Sequence, residues 1–101
     1  MGMVQFRRDA DRLKRLAEKS YSEGKYISAL RFLFGVLEEE GADVELLFRI
    51  ADVYENLGLQ TYAIKWLFKV LDFCEEIDIP DVFEALAINY MNLGEEAVSA
   101  Y

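Results

Sequence analysis

The amino-acid sequence predicts an all-α fold, a stack of antiparallel helical hairpins, from three observations. Many residues of one 34-residue segment recur at the matching positions of the next segment. Apolar side chains follow a helical period, and glycines lie between the helical stretches. No strand-like alternation is present. We therefore expect one domain of residues 1–101, with two full repeats at about 10–43 and 44–77 and a partial third at about 80–101.

The internal repeat is carried by identical residues 34 positions apart. The identical pairs are Leu13/Leu47, Arg15/Arg49, Ala17/Ala51, Gly24/Gly58, Ala29/Ala63, Leu33/Leu67, Phe34/Phe68, Val36/Val70 and Leu37/Leu71. A partial copy lies 36 residues after the second repeat, where Ala87, Tyr90, Asn92, Leu93 and Gly94 match Ala51, Tyr54, Asn56, Leu57 and Gly58. Self-similarity at this period is typical of a stacked repeat array.

The first hairpin is predicted from periodicity and from two glycines. Apolar residues at a 3.6-residue period predict a first helix over residues 4–22, and Gly24 ends it because glycine accepts the left-handed conformation of a helix C-terminus. The second helix is predicted over about residues 26–40, and Gly41 stops it.

The second hairpin repeats this arrangement. Asp43 is a candidate N-cap for a third helix over about residues 44–57, which Gly58 ends. A fourth helix is predicted over about residues 60–76. A fifth helix begins near Pro80, which suits a first helical turn, and is predicted to stop at Gly94. Residues 95–101 would then start a sixth helix.

Paired helices of this length at a 34-residue period resemble the tetratricopeptide repeat (TPR), over nearly the whole chain. Small residues of that family match Ala17, Ala51 and Ala87 in the first helix of each repeat, and Ala29, Ala63 and Ser99 in the second. Small side chains let the two helices of a repeat approach closely. The resemblance implies a right-handed α-solenoid, two full repeats plus a partial third, that acts as a non-catalytic protein-interaction scaffold.

The resemblance also implies a concave groove lined by the first helix of each repeat. The matching residues are Asp11, Lys14, Glu18, Tyr21, Ser22, Glu45, Phe48, Asp52, Glu55, Asn56, Asp81, Glu84, Ile88, Met91 and Asn92. Seven of these are carboxylates and one is a lysine, so the groove would suit a basic or amphipathic peptide or helix. The alternative is that these acids only solvate a surface.

The basic residues of the first helix form a separate stripe. Arg8, Arg12, Arg15 and Lys19 recur along one face. Arg12 and Lys19 occupy the repeat positions of Leu46 and Val53, so the stripe suits the polar outer face of a terminal repeat better than a patch that binds nucleic acid or an anionic surface.

Composition excludes several function classes. The chain has no histidine and one cysteine, so we expect no Ser-His-Asp or Cys-His catalysis, no ordinary zinc site and no internal disulfide. No phosphate-binding glycine motif occurs, and we expect no enzyme activity and no cofactor. The net charge of −8 argues against nucleic acid. No membrane-spanning run or secretory signal is found, and the expected location is cytoplasmic.

The partial third repeat suggests an alternative function, self-assembly. Its second helix is cut short, so an apolar surface with Phe83, Leu86, Ala87 and Tyr90 would be exposed, covered only by a stub with Ala97, Val98 and Tyr101. Either the chain belongs to a longer array, or two copies pair through Phe83, Leu86, Tyr90, Val98 and Tyr101, which gives a homodimer.

Overall fold

A computed structural model describes the backbone of residues 2–99 and the side chains of residues 9–95. These residues form five α-helices and one short 3-10 turn, and no strand occurs among them. The all-α prediction is therefore confirmed. The chain divides into two compact units, Met1–Ala42 and Asp43–Tyr101. The stacking of the repeats into one solenoid stays a prediction.

The first unit is a helical hairpin. α1 (Gly2–Ser22) packs against α2 (Tyr26–Glu40). Gly24 ends α1 in the left-handed region at a φ of 75°, as predicted. Ala17 and Ala29 are both buried, which agrees with the small-residue pattern of the repeat.

The second unit contains three helices, and α4 is packed on two sides. α3 (Val44–Asn56) and α5 (Ile79–Ser99) both contact α4 (Gln60–Leu71), and the 3-10 turn Glu76–Asp78 precedes α5. The core consists of Leu46, Leu47, Ile50, Ala51 and Val53 from α3, Ala63, Ile64, Leu67 and Val70 from α4, and Val82 and Leu86 from α5. Each large aliphatic side chain buried here stabilises the fold by about 1.5–3 kcal/mol.

The α3–α4 hairpin reproduces the predicted local signals. The Asp43 carboxylate accepts a 2.8 Å hydrogen bond from the backbone N–H of Leu46, which caps α3. Gly58 follows α3 with a φ of 76°, and the chain turns into α4 within three residues. Two helices that pack after so short a link run antiparallel.

The predicted end of the fourth helix was wrong. α4 ends at Leu71 and not at Glu76. The end of α4 narrows to a 3-10-type turn, in which the N–H of Asp72 donates to the carbonyl of Lys69, three residues earlier. A continuation would have put the carboxylates of Asp72, Glu75 and Glu76 at the negative end of the helix dipole, where anions are unfavourable.

The predicted stop at Gly94 and the sixth helix were also wrong. α5 runs without a break from Ile79 to Ser99, so residues 95–99 continue the same helix. Gly94 does not have a positive φ. Glycine weakens a helix interior by about 1 kcal/mol but does not forbid it, and Glu95, Glu96 and Ala97 are good helix formers.

Candidate functional site

The second unit carries an open cleft of about 480 Å³, lined by residues of α3, of the 3-10 turn and of the start of α5. Its lining residues are Val44, Glu45, Phe48, Arg49, Asp52, Asp78 and Asp81. Four of these are carboxylates and one is a cation. The cleft is therefore acidic, with an aromatic side chain among the charges.

Helix spacing puts the α3 members of the cleft together. Glu45, Phe48 and Asp52 are separated by three and four residues, so they lie on one face of α3. Asp78 comes from the 3-10 turn and Asp81 from the first turn of α5. A carboxylate in a first helical turn is favoured by the helix dipole, so Asp81 also stabilises the start of α5.

The negative charge on this side of α3 extends beyond the cleft. Burial raises the pKa of Glu55, and the nearby carboxylate of Asp52 raises that pKa further. Glu55 does not line the cleft. Its raised pKa reflects first the cost of burying a charged carboxylate and then the repulsion from Asp52.

Three of the predicted groove residues, Glu45, Phe48 and Asp52, meet in this cleft, together with Asp81 of the wider set. Asn56 lies one turn further along α3, where its side-chain amide donates a 2.8 Å hydrogen bond to the Asp52 carbonyl. On α5, Glu84, Ile88 and Met91 are exposed but do not line the cleft.

The predicted groove residues of the first unit have contacts within that unit. Lys14 forms an ion pair with Glu40, with 2.9 Å between its Nζ and the carboxylate oxygen Oε1. The rings of Tyr21 and Tyr26 pack edge to face, with centroids 5.6 Å apart. Glu18 is exposed. Lys14 and Tyr21 thus connect α1 to the last and the first residue of α2, respectively.

The residues predicted for self-association differ in their exposure to solvent. Phe83 and Tyr90 are exposed on α5. Leu86 was predicted to share that exposed surface, but it is only 5% exposed and packs in the core of the second unit. It lies at the angle around α5 that faces α4. The side chain of Val98 and the whole of Tyr101 lie outside the described residues.

Sequence reasoning did not assign Val44, Arg49 or Asp78 to a site. The third repeat follows the second at an offset of 36 residues instead of 34, and Asp78 lies in the link that contains the two additional residues. The repeat therefore gives no equivalent position for it. Val44 and Arg49 lie beside the face of α3 that the repeat predicts to line the groove. They line the cleft because it is wider than that face.

The described residues contain neither a metal-binding cluster nor a membrane-spanning helix. Among the described residues, no group of three or more acidic or cysteine side chains is arranged to hold a metal ion. None of the described helices combines the length and apolarity needed to cross a bilayer. Comparison with family models, curated proteins and solved structures finds no match to this chain.

Proposed function

We propose that this protein is a non-catalytic, TPR-like interaction module that binds a basic, amphipathic protein segment in the acidic cleft of α3 and α5. The observation that carries the proposal is that four carboxylates and Phe48 line one cleft that has a single cation, Arg49; the carboxylates are Glu45, Asp52, Asp78 and Asp81. A cytoplasmic location and the absence of catalysis are parts of the same proposal.

The chemistry of the cleft suits lysine or arginine side chains attached to an apolar stem. The carboxylates attract the charged heads, while Phe48 offers a surface for the methylene groups or for a neighbouring leucine. Amphipathic helices bind such grooves through anchors spaced three and four residues apart. The acidic groups would also repel an acidic peptide, which gives the cleft its selectivity.

The energetics predict modest affinity with strong salt dependence. Solvent-exposed ion pairs contribute about 0.2–1 kcal/mol each. Replacing one carboxylate by lysine exchanges an attraction for a repulsion of similar size, about 0.4–2 kcal/mol, or roughly a 2- to 30-fold loss of affinity.

Fluorescence anisotropy tests the proposal with a labelled helical peptide that has lysines on one face and leucines on the other. We expect the peptide to bind, and its dissociation constant to rise between low and physiological salt, because exposed charges are screened beyond about 8–10 Å. Asp52→Lys should weaken binding without a loss of helical circular dichroism.

Asp72→Lys is the matched control. It changes the net charge equally, but Asp72 is exposed at the end of α4 and does not line the cleft. If Asp72→Lys weakened binding as much as Asp52→Lys, the net charge of the protein, and not the cleft, would account for the attraction. If added salt left binding unchanged, the carboxylates would only solvate the surface.

A further inference from the structure

α5 presents an exposed face in which large and small residues alternate. Phe83, Ala87, Tyr90 and Gly94 are spaced by four, three and four residues, which places them in one row along the helix. All four are exposed, and Phe83 and Tyr90 keep 57% and 52% of their surface accessible. α4 packs against α5, whose buried residues Val82, Leu86 and Asn89 lie about a quarter turn around the helix from this row.

The internal repeat shows what such a row does when it has a partner. The residues 36 positions earlier, on α3 and just after it, are Leu47, Ala51, Tyr54 and Gly58. There α4 packs antiparallel on α3, Leu47 and Ala51 are buried, and the Tyr54 ring stacks on Tyr62 with centroids 5.4 Å apart. The exposed face of α5 therefore has the composition of a face that already receives an antiparallel helix elsewhere in this unit.

Gly94 adds an independent observation. It lies inside a helix, and a Cβ atom built on it meets nothing within 4 Å. A glycine in a helix interior is less stable than alanine by roughly 0.5–1 kcal/mol. No close contact among the described residues accounts for this glycine, whereas a side chain of a second helix could pack directly against its backbone.

We propose that α5 pairs with α5 of a second copy of this chain, antiparallel, about a two-fold axis between residues 88 and 89. In this register Phe83 packs onto Gly94 of the second copy, and Tyr90 packs onto Ala87 of the second copy. Each large residue thus meets a small one. A two-fold axis produces both contacts twice, which makes the face complementary to itself.

The size and charge of the face define the strength of this dimer. With half of each ring exposed, Phe83 and Tyr90 offer about 100 Å² each. The interface is then smaller than the roughly 1,200 Å² of standard stable complexes, so the dimer is weak and reversible. Two chains of net charge −8 repel each other, and Glu84 and Glu95 border the face. Added salt therefore strengthens the dimer, the opposite of its effect on the acidic cleft.

Sedimentation equilibrium of the full chain at increasing concentration measures the pairing. We expect a monomer–dimer equilibrium that shifts toward dimer with salt. Phe83→Ala and Gly94→Phe should each raise the dimer dissociation constant by about tenfold or more. The double variant Phe83→Ala/Gly94→Phe moves the aromatic ring to the other side of the same contact, and it should restore the dimer.

Phe68→Ala is the control, because Phe68 is an aromatic residue on α4 that is 49% exposed. It should leave the dissociation constant unchanged. Circular dichroism of each variant checks that the helices are retained, and the open space at Gly94 allows Gly94→Phe to fold. A strict monomer at all concentrations, open-ended oligomers, or a double variant no better than its parents would each overturn the proposal.

Discussion

Ala51→Leu tests whether the repeat register describes the packing of the second unit. Ala51 is 2% exposed, at the α3–α4 seam where Ala63 is also buried. A leucine adds three carbon atoms where close-packed neighbours leave no room. Overpacking of this kind costs about 1–3 kcal/mol, because the helices must separate or neighbouring side chains must leave their preferred rotamers.

The free energy of unfolding can be followed through Trp66, the single tryptophan of the chain, which lies on α4 in the same unit. For a chain of about 100 residues, each kcal/mol shifts the melting temperature by roughly 4–8 °C. We therefore expect Ala51→Leu to lower the melting temperature, followed by Trp66 fluorescence, by at least about 4 °C.

Ala87→Leu provides the matched control. Ala87 occupies the same repeat position as Ala51, but it is exposed on α5. In dilute protein, where the chain is monomeric, the same substitution there should change the free energy of unfolding by less than about 0.5 kcal/mol, as is usual for surface positions. Equal effects of the two substitutions, or an unchanged transition for Ala51→Leu, would refute the assignment of Ala51 to the packed seam.

Three further predictions concern the cap, the pH dependence and the glycine of α5. Asp43→Ala removes the cap on the Leu46 N–H and should lower the urea midpoint by an amount equivalent to about 0.5–2 kcal/mol. Burial and the Asp52 carboxylate raise the pKa of Glu55 in the folded state. The stability that protonated Glu55 contributes is therefore fully present below its unfolded-state pKa and is lost as pH rises through its folded-state pKa. Glu55→Gln should have a larger free energy of unfolding than the parent at neutral pH, and the difference should vanish in acid. Gly94→Ala should raise the melting temperature of the dilute protein, because its Cβ meets open space in a helix.

The sequence predicted the helices best where glycine ends them. Gly24, Gly41 and Gly58 all have φ values near 80°, a conformation that other residues rarely adopt, so their positions fix three helix boundaries. α2 has the predicted bounds, and the Asp43 cap forms as predicted. These signals are local, so no knowledge of tertiary packing was needed.

The failures come from signals that depend on context. Gly94 carries the same residue type as Gly58, but its φ is not positive and the helix continues. Leu86 was placed on the exposed face because the predicted third hairpin oriented α5, whereas contact with α4 decides which side is buried. A repeat pattern states which residues are equivalent, not which partners are present.

The candidate site was predicted only in part. The groove positions of the repeat identified Glu45, Phe48 and Asp52, because helix spacing alone puts them on one face. Asp78 entered the cleft through the 3-10 turn, whose geometry has no periodic signature.

A charge-swap measurement tests the central claim, that the cleft carboxylates select a basic segment. The dissociation constants of the lysine–leucine peptide and of its glutamate–leucine counterpart are measured for the parent protein and for Glu45→Lys/Asp52→Lys. We predict that the parent prefers the lysine peptide and that the double variant reverses this preference. An unchanged preference in the folded double variant would contradict the claim.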